Sequence, residues 1–163
     1  MIFVTIGSMF PFDRLIRVMD TWAEQTQRRD VLAQIGGGVY EPRYMDFVRR
    51  LPQAKFTETM QKAELIVAHA GMGSVITAGQ LSLPIVILPR QRELGEVTSD
   101  HQRATARWLR DRPGVFVADT DDTLPDTIET ALSAGRSGQD RLGTVADAAF
   151  TDKLRAAILN TRT

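Results

Sequence analysis

The sequence predicts a doubly wound α/β fold with a mostly parallel sheet, and two observations support that prediction. Short apolar runs alternate along the chain with segments whose apolar residues recur every three or four positions. This alternation is typical of strands that are connected by amphipathic helices. Glycines, prolines and polar residues separate the segments. In folds of this kind, ligands bind beyond the carboxyl ends of the strands.

Six apolar or β-branched runs are predicted strands. The run 85–88 is unbroken, as in a strand that helices cover on both faces, and Pro84 and Pro89 bound it. The others are less distinctive, because short apolar runs occur in helices as well. The predicted strands span residues 2–6, 31–35, 54–56, 65–68, 85–88 and 115–117.

The predicted helices follow the three-and-four spacing of a buried face. The first begins at Phe12, with Asp13 in its first turn and apolar residues at 15, 16, 18, 19, 22 and 23. The helix 100–112 is expected to turn Ala104, Trp108 and Leu109 inward. Further helical segments are predicted at 42–50, 58–63, 75–83, 123–134 and 145–159, the last after a polar loop at 137–143.

The composition limits the classes of function. A chain of 163 residues with 43% hydrophobic and 25% charged residues suits one domain, taken here as 1–163. Twenty basic and twenty acidic residues balance, so no overall charge favours nucleic acid. Cysteine is absent, and no apolar run approaches the roughly 18 residues of a membrane span. A cytoplasmic location is expected.

The stretch 67–102 holds most of the candidate site. A strand leads into a glycine turn, His69-Ala70-Gly71-Met72-Gly73-Ser74, and a helix able to start at Ser74 follows. Glycines allow close approach to a ligand, and a helix start offers unpaired N–H groups, so a diphosphate would fit. The alternative is a purely conformational turn. Gly7-Ser8 forms a similar unit, whereas Gly36-Gly37-Gly38 is favoured as a simple turn.

Several polar residues allow two interpretations. His69 either contacts a phosphate oxygen or caps a turn, and His101 is favoured as a solvated residue over a general base. Asp119-Thr120-Asp121 has the D-x-D pattern of a cation site, but its place before a helix favours capping. Arg90 and Arg92 either meet an anionic donor or pair with neighbouring glutamates.

Four motifs in this order resemble glycosyltransferase family 28: the His69–Ser74 turn, Leu83-Pro84, Pro89-Arg90 and Asp100-His101-Gln102. The likeness begins at Phe3-Val4-Thr5-Ile6-Gly7-Ser8 and covers nearly the whole chain. It implies a Rossmann-like domain equivalent to the C-terminal half of a GT-B enzyme. Within the family, the chain resembles the small donor-binding subunits of two-part transferases, namely the PssE-type glucuronosyltransferase subunit and the catalytic subunit of the dolichol-linked N-acetylglucosaminyltransferase.

The resemblance assigns donor-binding roles residue by residue. It places the diphosphate at the two glycine turns, the uracil near Thr59 and Met60, and the transferred sugar near the Asp-His-Gln motif. One position departs from the family, because Thr77 stands where a glutamate usually binds the ribose. Either the ribose is held more weakly, or Glu96 (preferred) or Glu93 replaces the glutamate, or the chain no longer binds the expected donor. The predicted donor-binding residues are Gly7, Ser8, Thr59, Met60, His69, Gly71, Met72, Gly73, Ser74, Thr77, Arg90, Glu96, Asp100, His101 and Gln102.

The expected function is inverting transfer of a sugar from a UDP-sugar to a lipid-linked saccharide, in exopolysaccharide or capsule synthesis. The resemblance implies a PssD-like, membrane-anchored partner that binds the acceptor and supplies the catalytic base. This chain would then lie at the inner face of the membrane, with the last helix as a candidate docking surface. No cofactor or metal is expected. The alternative is a non-catalytic subunit that binds a nucleotide sugar or regulates the enzyme.

Overall fold

The computed structural model describes residues 1–137, which form a six-stranded sheet with helices on both faces. The strands are β1 (Ile2–Thr5), β2 (Val31–Gln34), β3 (Asp46–Val48), β4 (Leu65–His69), β5 (Ile85–Leu88) and β6 (Val115–Val117). The helices are α1 (Asp13–Gln25), α2 (Gln53–Lys62), α3 (Met72–Gln80), α4 (His101–Leu109) and α5 (Leu124–Ser137). A short 3₁₀ helix spans Arg92–Leu94.

The strand order confirms the predicted doubly wound fold. The sheet runs β3-β2-β1-β4-β5-β6, and each neighbouring pair is parallel. The direction of winding reverses between β1 and β4, where a doubly wound sheet opens a crevice at its carboxyl edge. Thr5 at the end of β1 is in register with Gln34 of β2 and Ala68 of β4. These strand ends therefore surround one crevice.

Helices cover both faces of the sheet, which is why the central strands are continuous apolar runs. Residues of α1 and α5 pack on one face, and the Trp22 indole N–H of α1 donates to Glu129 of α5 at 3.2 Å. Residues of α2, α3 and α4 pack on the other face, around Phe3 of β1. Two separate apolar layers thus hold the strand ends in fixed positions.

Two predicted elements are wrong. The segment 42–50 contains strand β3 in place of a helix, and the predicted strand 54–56 belongs to helix α2. β3 is an edge strand with Asp46 and Phe47 exposed, so it lacks the apolar pattern that marks a buried strand. α2 buries only Met60 fully, and that single residue gives no clear helical period.

Other differences are smaller. Helix α3 begins at Met72, two residues earlier than predicted, and α4 buries Ala106 and Leu109 while Ala104 and Trp108 are exposed. Gly36-Gly37-Gly38 is a turn, with the Gly38 N–H donating to the Ile35 carbonyl at 3.0 Å. The predicted loop 137–143 beyond Ser137 and the helix 145–159 lie outside the described residues. Within residues 1–137, no helix has the length and apolar character needed to cross a membrane.

Candidate functional site

A cleft of about 580 Å³ opens at the carboxyl ends of the strands. Its size lies in the range of small-molecule sites, roughly 300–1,000 Å³. The loops after β1, β4 and β5 form its walls together with the first turns of α3 and α4 and the segment that begins α2. The lining residues are Thr5, Ile6, Gly7, Ser8, Met9, Phe10, Gln34, Leu51, Gln53, Phe56, His69, Gly73, Ser74, Thr77, Arg90, Val97, Thr98, Ser99, His101 and Gln102.

The charge of this cleft is positive. Among the described residues that line it, Arg90 is a cation and none is an aspartate or glutamate. Arg90 is only 2% exposed, and its Nη2 donates to the carbonyls of Ile6 at 2.6 Å and Phe10 at 2.7 Å. Burial lowers the pKa of the Arg90 guanidinium, but an arginine stays charged in proteins. Arg90 thus holds the loop after β1 and is the cation of the described lining, while the Glu96 carboxylate outside the lining offsets part of its charge.

The amino end of α3 also faces the cleft. The N–H groups of Met72, Gly73 and Ser74 have no hydrogen-bond partner among the described residues, as expected for the first turn of a helix. Gly73 and Ser74 line the cleft, and a Cβ built on Gly73 would meet no atom within 4 Å. The helix dipole adds partial positive charge at the same point. The arrangement suits an anion such as a diphosphate.

His69 lies between the two glycine turns. A Cβ on Gly7 would come within 2.6 Å of the His69 ring, and a Cβ on Gly71 within 2.2 Å. Gly7 also has a φ of +77°, which side chains with a Cβ rarely adopt. The imidazole therefore occupies the space that glycine leaves on each side. Burial, and secondarily the charge of Arg90, lower the pKa of His69 to about 4, so the ring is neutral near pH 7.

This low pKa predicts a pH-dependent stability. In the unfolded chain His69 becomes protonated below about pH 6.5, whereas in the folded chain it stays neutral down to about pH 4. The contribution of His69 to the free energy of unfolding is therefore fully present above pH 6.5 and is lost as the pH falls toward 4. We expect a loss on the order of 2 kcal/mol from this residue. Urea unfolding at pH 7 and pH 4.5 should show a smaller loss for His69→Asn than for the wild type. His101→Asn, at an exposed position, is the control; equal losses in all three proteins would contradict this account.

Glu96 takes part in an ion-pair network behind the cleft. Its carboxylate accepts two hydrogen bonds from Arg14 of α1, at 2.7 and 2.9 Å, and a third from the Gln91 N–H at 2.8 Å. Arg14 also contacts Asp121 and donates to the Pro89 carbonyl at 2.9 Å. The network fixes the loop after β5 to α1, and with it the side of the cleft that Val97, Thr98 and Ser99 form.

Comparison with known proteins identifies the family. The model of the glycosyltransferase family 28 C-terminal domain matches residues 1–160, nearly the whole chain.

The chain belongs to glycosyltransferase family 28.

The chain is similar to a curated protein, the UDP-N-acetylglucosamine--N-acetylmuramyl-(pentapeptide) pyrophosphoryl-undecaprenol N-acetylglucosamine transferase of Granulibacter bethesdensis (strain ATCC BAA-1260 / CGDNIH1). It is 34% identical over 87 residues, which are 53% of this chain and 21% of that protein. The chain thus spans about a fifth of the length of the relative it matches.

Solved structures confirm the fold. MurG of Acinetobacter baumannii superposes with a TM-score of 0.57 at 16% identity, over 83% of this chain and 44% of that one. ALG13 superposes with a TM-score of 0.55 at 14% identity, over 94% of this chain and 93% of that one. At these identities the likeness shows the fold alone, namely the Rossmann-like C-terminal domain of a GT-B enzyme.

The structure brings most of the predicted site residues of this family 28 domain to one cleft. They come from the ends of β1, β4 and β5 and from the first turns of α3 and α4, which meet at the same edge of the sheet. The Gln102 Oε1 accepts the Arg90 N–H at 3.2 Å, so the amide nitrogen of Gln102 is the group left for a ligand. The predicted residues that line the cleft are Gly7, Ser8, His69, Gly73, Ser74, Thr77, Arg90, His101 and Gln102.

The two residues predicted at the uracil end, Thr59 and Met60, do not line the cleft. Met60 is fully buried in the core under α2, and the Thr59 hydroxyl donates to the Lys55 carbonyl at 2.8 Å on the outside of that helix. The part of this segment that lines the cleft comes earlier, at Leu51, Gln53 and Phe56. The error follows from the misplaced start of α2, because the first turn of the helix, and not its last, faces the cleft.

Four other predicted residues do not line the cleft. The carboxylate of Glu96, which was expected to replace the missing ribose glutamate, is bound by Arg14 and the Gln91 N–H outside the lining. The Gly71 N–H donates to the His69 carbonyl at 2.8 Å, so Gly71 makes room for a ring and does not offer a hydrogen bond. Met72 and Asp100 are exposed at the starts of α3 and α4 and lie outside the lining.

Two buried polar residues of the cleft were missed by the sequence analysis. Thr5 and Gln34 end β1 and β2 and lie side by side in the sheet. A polar residue at the carboxyl end of an apolar parallel strand is a signal that could have found both, since these ends face the ligand crevice.

The aspartates of the Asp-Thr-Asp segment pair with arginines and make no capping hydrogen bond to α5 among the described residues. Asp119 accepts a hydrogen bond from Arg110 at 2.6 Å, and Asp121 contacts Arg14. The predicted capping is therefore wrong for both aspartates. In the described part of the chain, no group of three or more potential metal ligands comes together.

Proposed function

We propose that this chain is the donor-binding subunit of a two-part inverting glycosyltransferase that moves a sugar from a UDP-sugar to a lipid-linked acceptor. The observation that carries the proposal is the positive cleft, in which the free N–H groups of Gly73 and Ser74 and the buried cation of Arg90 converge with no opposing carboxylate among the described lining residues. Membership of family 28 supports the reaction class.

The chemistry follows from this charge distribution. Negative charge develops on the β-phosphate of a UDP-sugar as its bond to the sugar breaks. Fixed N–H donors at the start of α3 would stabilise that charge without reorganising, an effect worth about 3 kcal/mol per donor in comparable sites. The Ser74 hydroxyl and the Arg90 cation would act on the same group.

The two ends of the cleft differ in polarity and suggest an orientation. Leu51 and Phe56 make the wall on the β2 and β3 side apolar, which suits the faces of a pyrimidine ring. Ser99, His101 and Gln102 make the β5 and α4 side polar, which suits sugar hydroxyls. We place the diphosphate between them, at the reversal of strand order beside β1 and β4.

A partner subunit is part of the proposal. We assign the base that activates the acceptor hydroxyl to another chain. The described lining has no carboxylate, burial makes His69 a weak base with a pKa of about 4, and His101 is an exposed residue at the start of α4. The resemblance to two-part transferases assigns that role to a PssD-like, membrane-anchored subunit in exopolysaccharide or capsule synthesis. This chain would then act at the inner face of the membrane.

Replacing Gly73 with leucine tests the site without disturbing the fold. A side chain at position 73 would enter the cleft and meet no other atom within 4 Å, so we expect UDP affinity to fall about 30-fold while the melting temperature is kept. Ser74→Ala should weaken UDP binding about 5-fold through one lost hydrogen bond. Calorimetry on the chain alone and reconstituted with its partner measures both.

Gly37→Leu is the matched control, because a Cβ there is also unobstructed but Gly37 does not line the cleft. Equal UDP affinity of the Gly73 and Gly37 variants would refute the assignment of the diphosphate to α3.

Thr77 gives a second candidate function some weight. Its hydroxyl donates to the Gly73 carbonyl at 2.9 Å, and no carboxylate of the described lining stands in for the family glutamate. Weak ribose binding would suit a regulatory subunit that binds a nucleotide sugar without turnover. Transfer activity on reconstitution with the product of a neighbouring PssD-like gene would exclude this alternative, and binding without transfer in that complex would favour it.

A further inference from the structure

The Gln34 side chain is a buried polar group whose amide oxygen makes no hydrogen bond among the described residues. It ends β2, is only 7% exposed and lines the cleft. Its Oε1 atom is buried and has no hydrogen-bond partner among the described residues. Buried amide oxygens are almost always paired in native proteins, and an unpaired one destabilises the fold. An unpaired acceptor that borders a cleft is therefore a candidate for a bond to a ligand.

Nearby polar groups do not satisfy this oxygen. The hydroxyl oxygen of Thr5, the in-register neighbour on β1, accepts the Gly7 N–H at 3.4 Å, and the hydroxyl does not donate to the Gln34 Oε1. On the other side, β3 offers Val48, whose side chain is apolar. The backbone of Gln34 is fixed between these two strands, so the side chain has little freedom to seek a partner elsewhere. A ligand group with an N–H or O–H donor would complete the site.

The position of Gln34 in the sheet indicates which part of the ligand supplies that donor. The proposed diphosphate site lies at β1 and β4, and the proposed sugar end lies toward β5 and α4. Gln34 is on the opposite side of β1, the side on which Leu51 and Phe56 line the cleft. The Phe56 ring is itself held edge-on by Phe3, with centroids 5.5 Å apart. A flat apolar wall beside an unpaired amide suits a nucleoside.

We propose that the Gln34 Oε1 accepts a hydrogen bond from the nucleoside part of the donor, either from the N3–H of the base or from a ribose hydroxyl. The inference rests on the proposed function. The Gln34 Oε1 would also serve as an acceptor for the nucleoside in a cleft whose described lining has no carboxylate. Thr77 stands in the family's glutamate position, and Glu96 is bound to Arg14.

The substitution Gln34→Met tests this, because methionine keeps the length of the side chain and removes its hydrogen bonds. We expect UDP to bind about tenfold more weakly, as for one lost bond in a buried site, and pyrophosphate to bind as in the wild type. The melting temperature without ligand should be equal or higher, because an unpaired polar group is removed from the interior. Gln80→Met, on the exposed face of α3, is the control and should change neither quantity.

Two UDP analogues identify the donor group. If the base supplies it, Gln34→Met and the wild type should bind N3-methyl-UDP equally; if the ribose does, they should bind 2′,3′-dideoxy-UDP equally. Any of four results for Gln34→Met would overturn the inference. They are an unchanged UDP affinity, an equal loss of affinity for pyrophosphate, a tenfold loss that persists with both analogues, and a lower melting temperature. In those cases wild-type UDP binding would leave the proposed function intact. A wild type that binds neither UDP nor pyrophosphate would overturn both.

Discussion

Replacing Asp20 with alanine is expected to lower the free energy of unfolding by about 4 kcal/mol. Asp20 lies on α1, is 2% exposed, and accepts hydrogen bonds from the Tyr40 hydroxyl at 2.6 Å and from the N–H groups of Arg43 at 3.0 Å and Tyr44 at 2.7 Å. The hydrogen bond to Asp20 also raises the pKa of Tyr40. Alanine would leave these donors without their partner and open space in the core.

The loss should spread to the cleft, because Asp20 anchors the segment that leads into β3 and then α2. Hydrogen exchange should show the amides of Arg43 and Tyr44 losing protection together with the β3 ladder. Tyr40→Phe removes one donor and keeps the carboxylate, so it should cost only about 1 kcal/mol. Asp20→Asn should fall between the two. Wild-type stability and amide protection in Asp20→Ala would show that the carboxylate does not hold this segment.

Replacing Gly71 with alanine should cost about 3 kcal/mol, and the cost should depend on His69. The new Cβ would lie 2.2 Å from the His69 ring, which Gly7 confines on its other side. In a His69→Ala background the same change should cost less than about 1 kcal/mol, reflecting only the poorer N-cap of α3. The interaction energy from the double-mutant cycle should therefore be about 2 kcal/mol.

Gly7→Ala is the matched comparison. It meets the same ring at 2.6 Å but also forces a residue with a Cβ into a φ of +77°. Removing His69 should relieve the steric cost and leave a backbone strain of about 1 kcal/mol. Additive costs for Gly71→Ala and His69→Ala in chemical denaturation would mean that the ring does not set the spacing of the two turns.

The sequence determined the fold class and the edge of the sheet where the cleft lies. Central parallel strands are buried on both faces, so their residues form apolar runs, such as 85–88, that the sequence shows directly. The glycine turns after β1 and β4 can also be seen in the sequence, and they marked the carboxyl edge of the sheet. The edge strand β3 and the largely polar helix α2 were misassigned, because few of their residues are buried and no apolar period forms.

Only the tertiary structure decided what each polar residue of the cleft does. Glu96 pairs with Arg14, 82 positions away, and lies outside the cleft lining. Arg90 reaches back 84 positions to hold the loop after β1. A Cβ at Gly71 would meet the His69 ring, and the Gln34 Oε1 has no hydrogen-bond partner among the described residues. Such roles depend on which distant side chains meet, and spacing along a chain does not record distances across a fold.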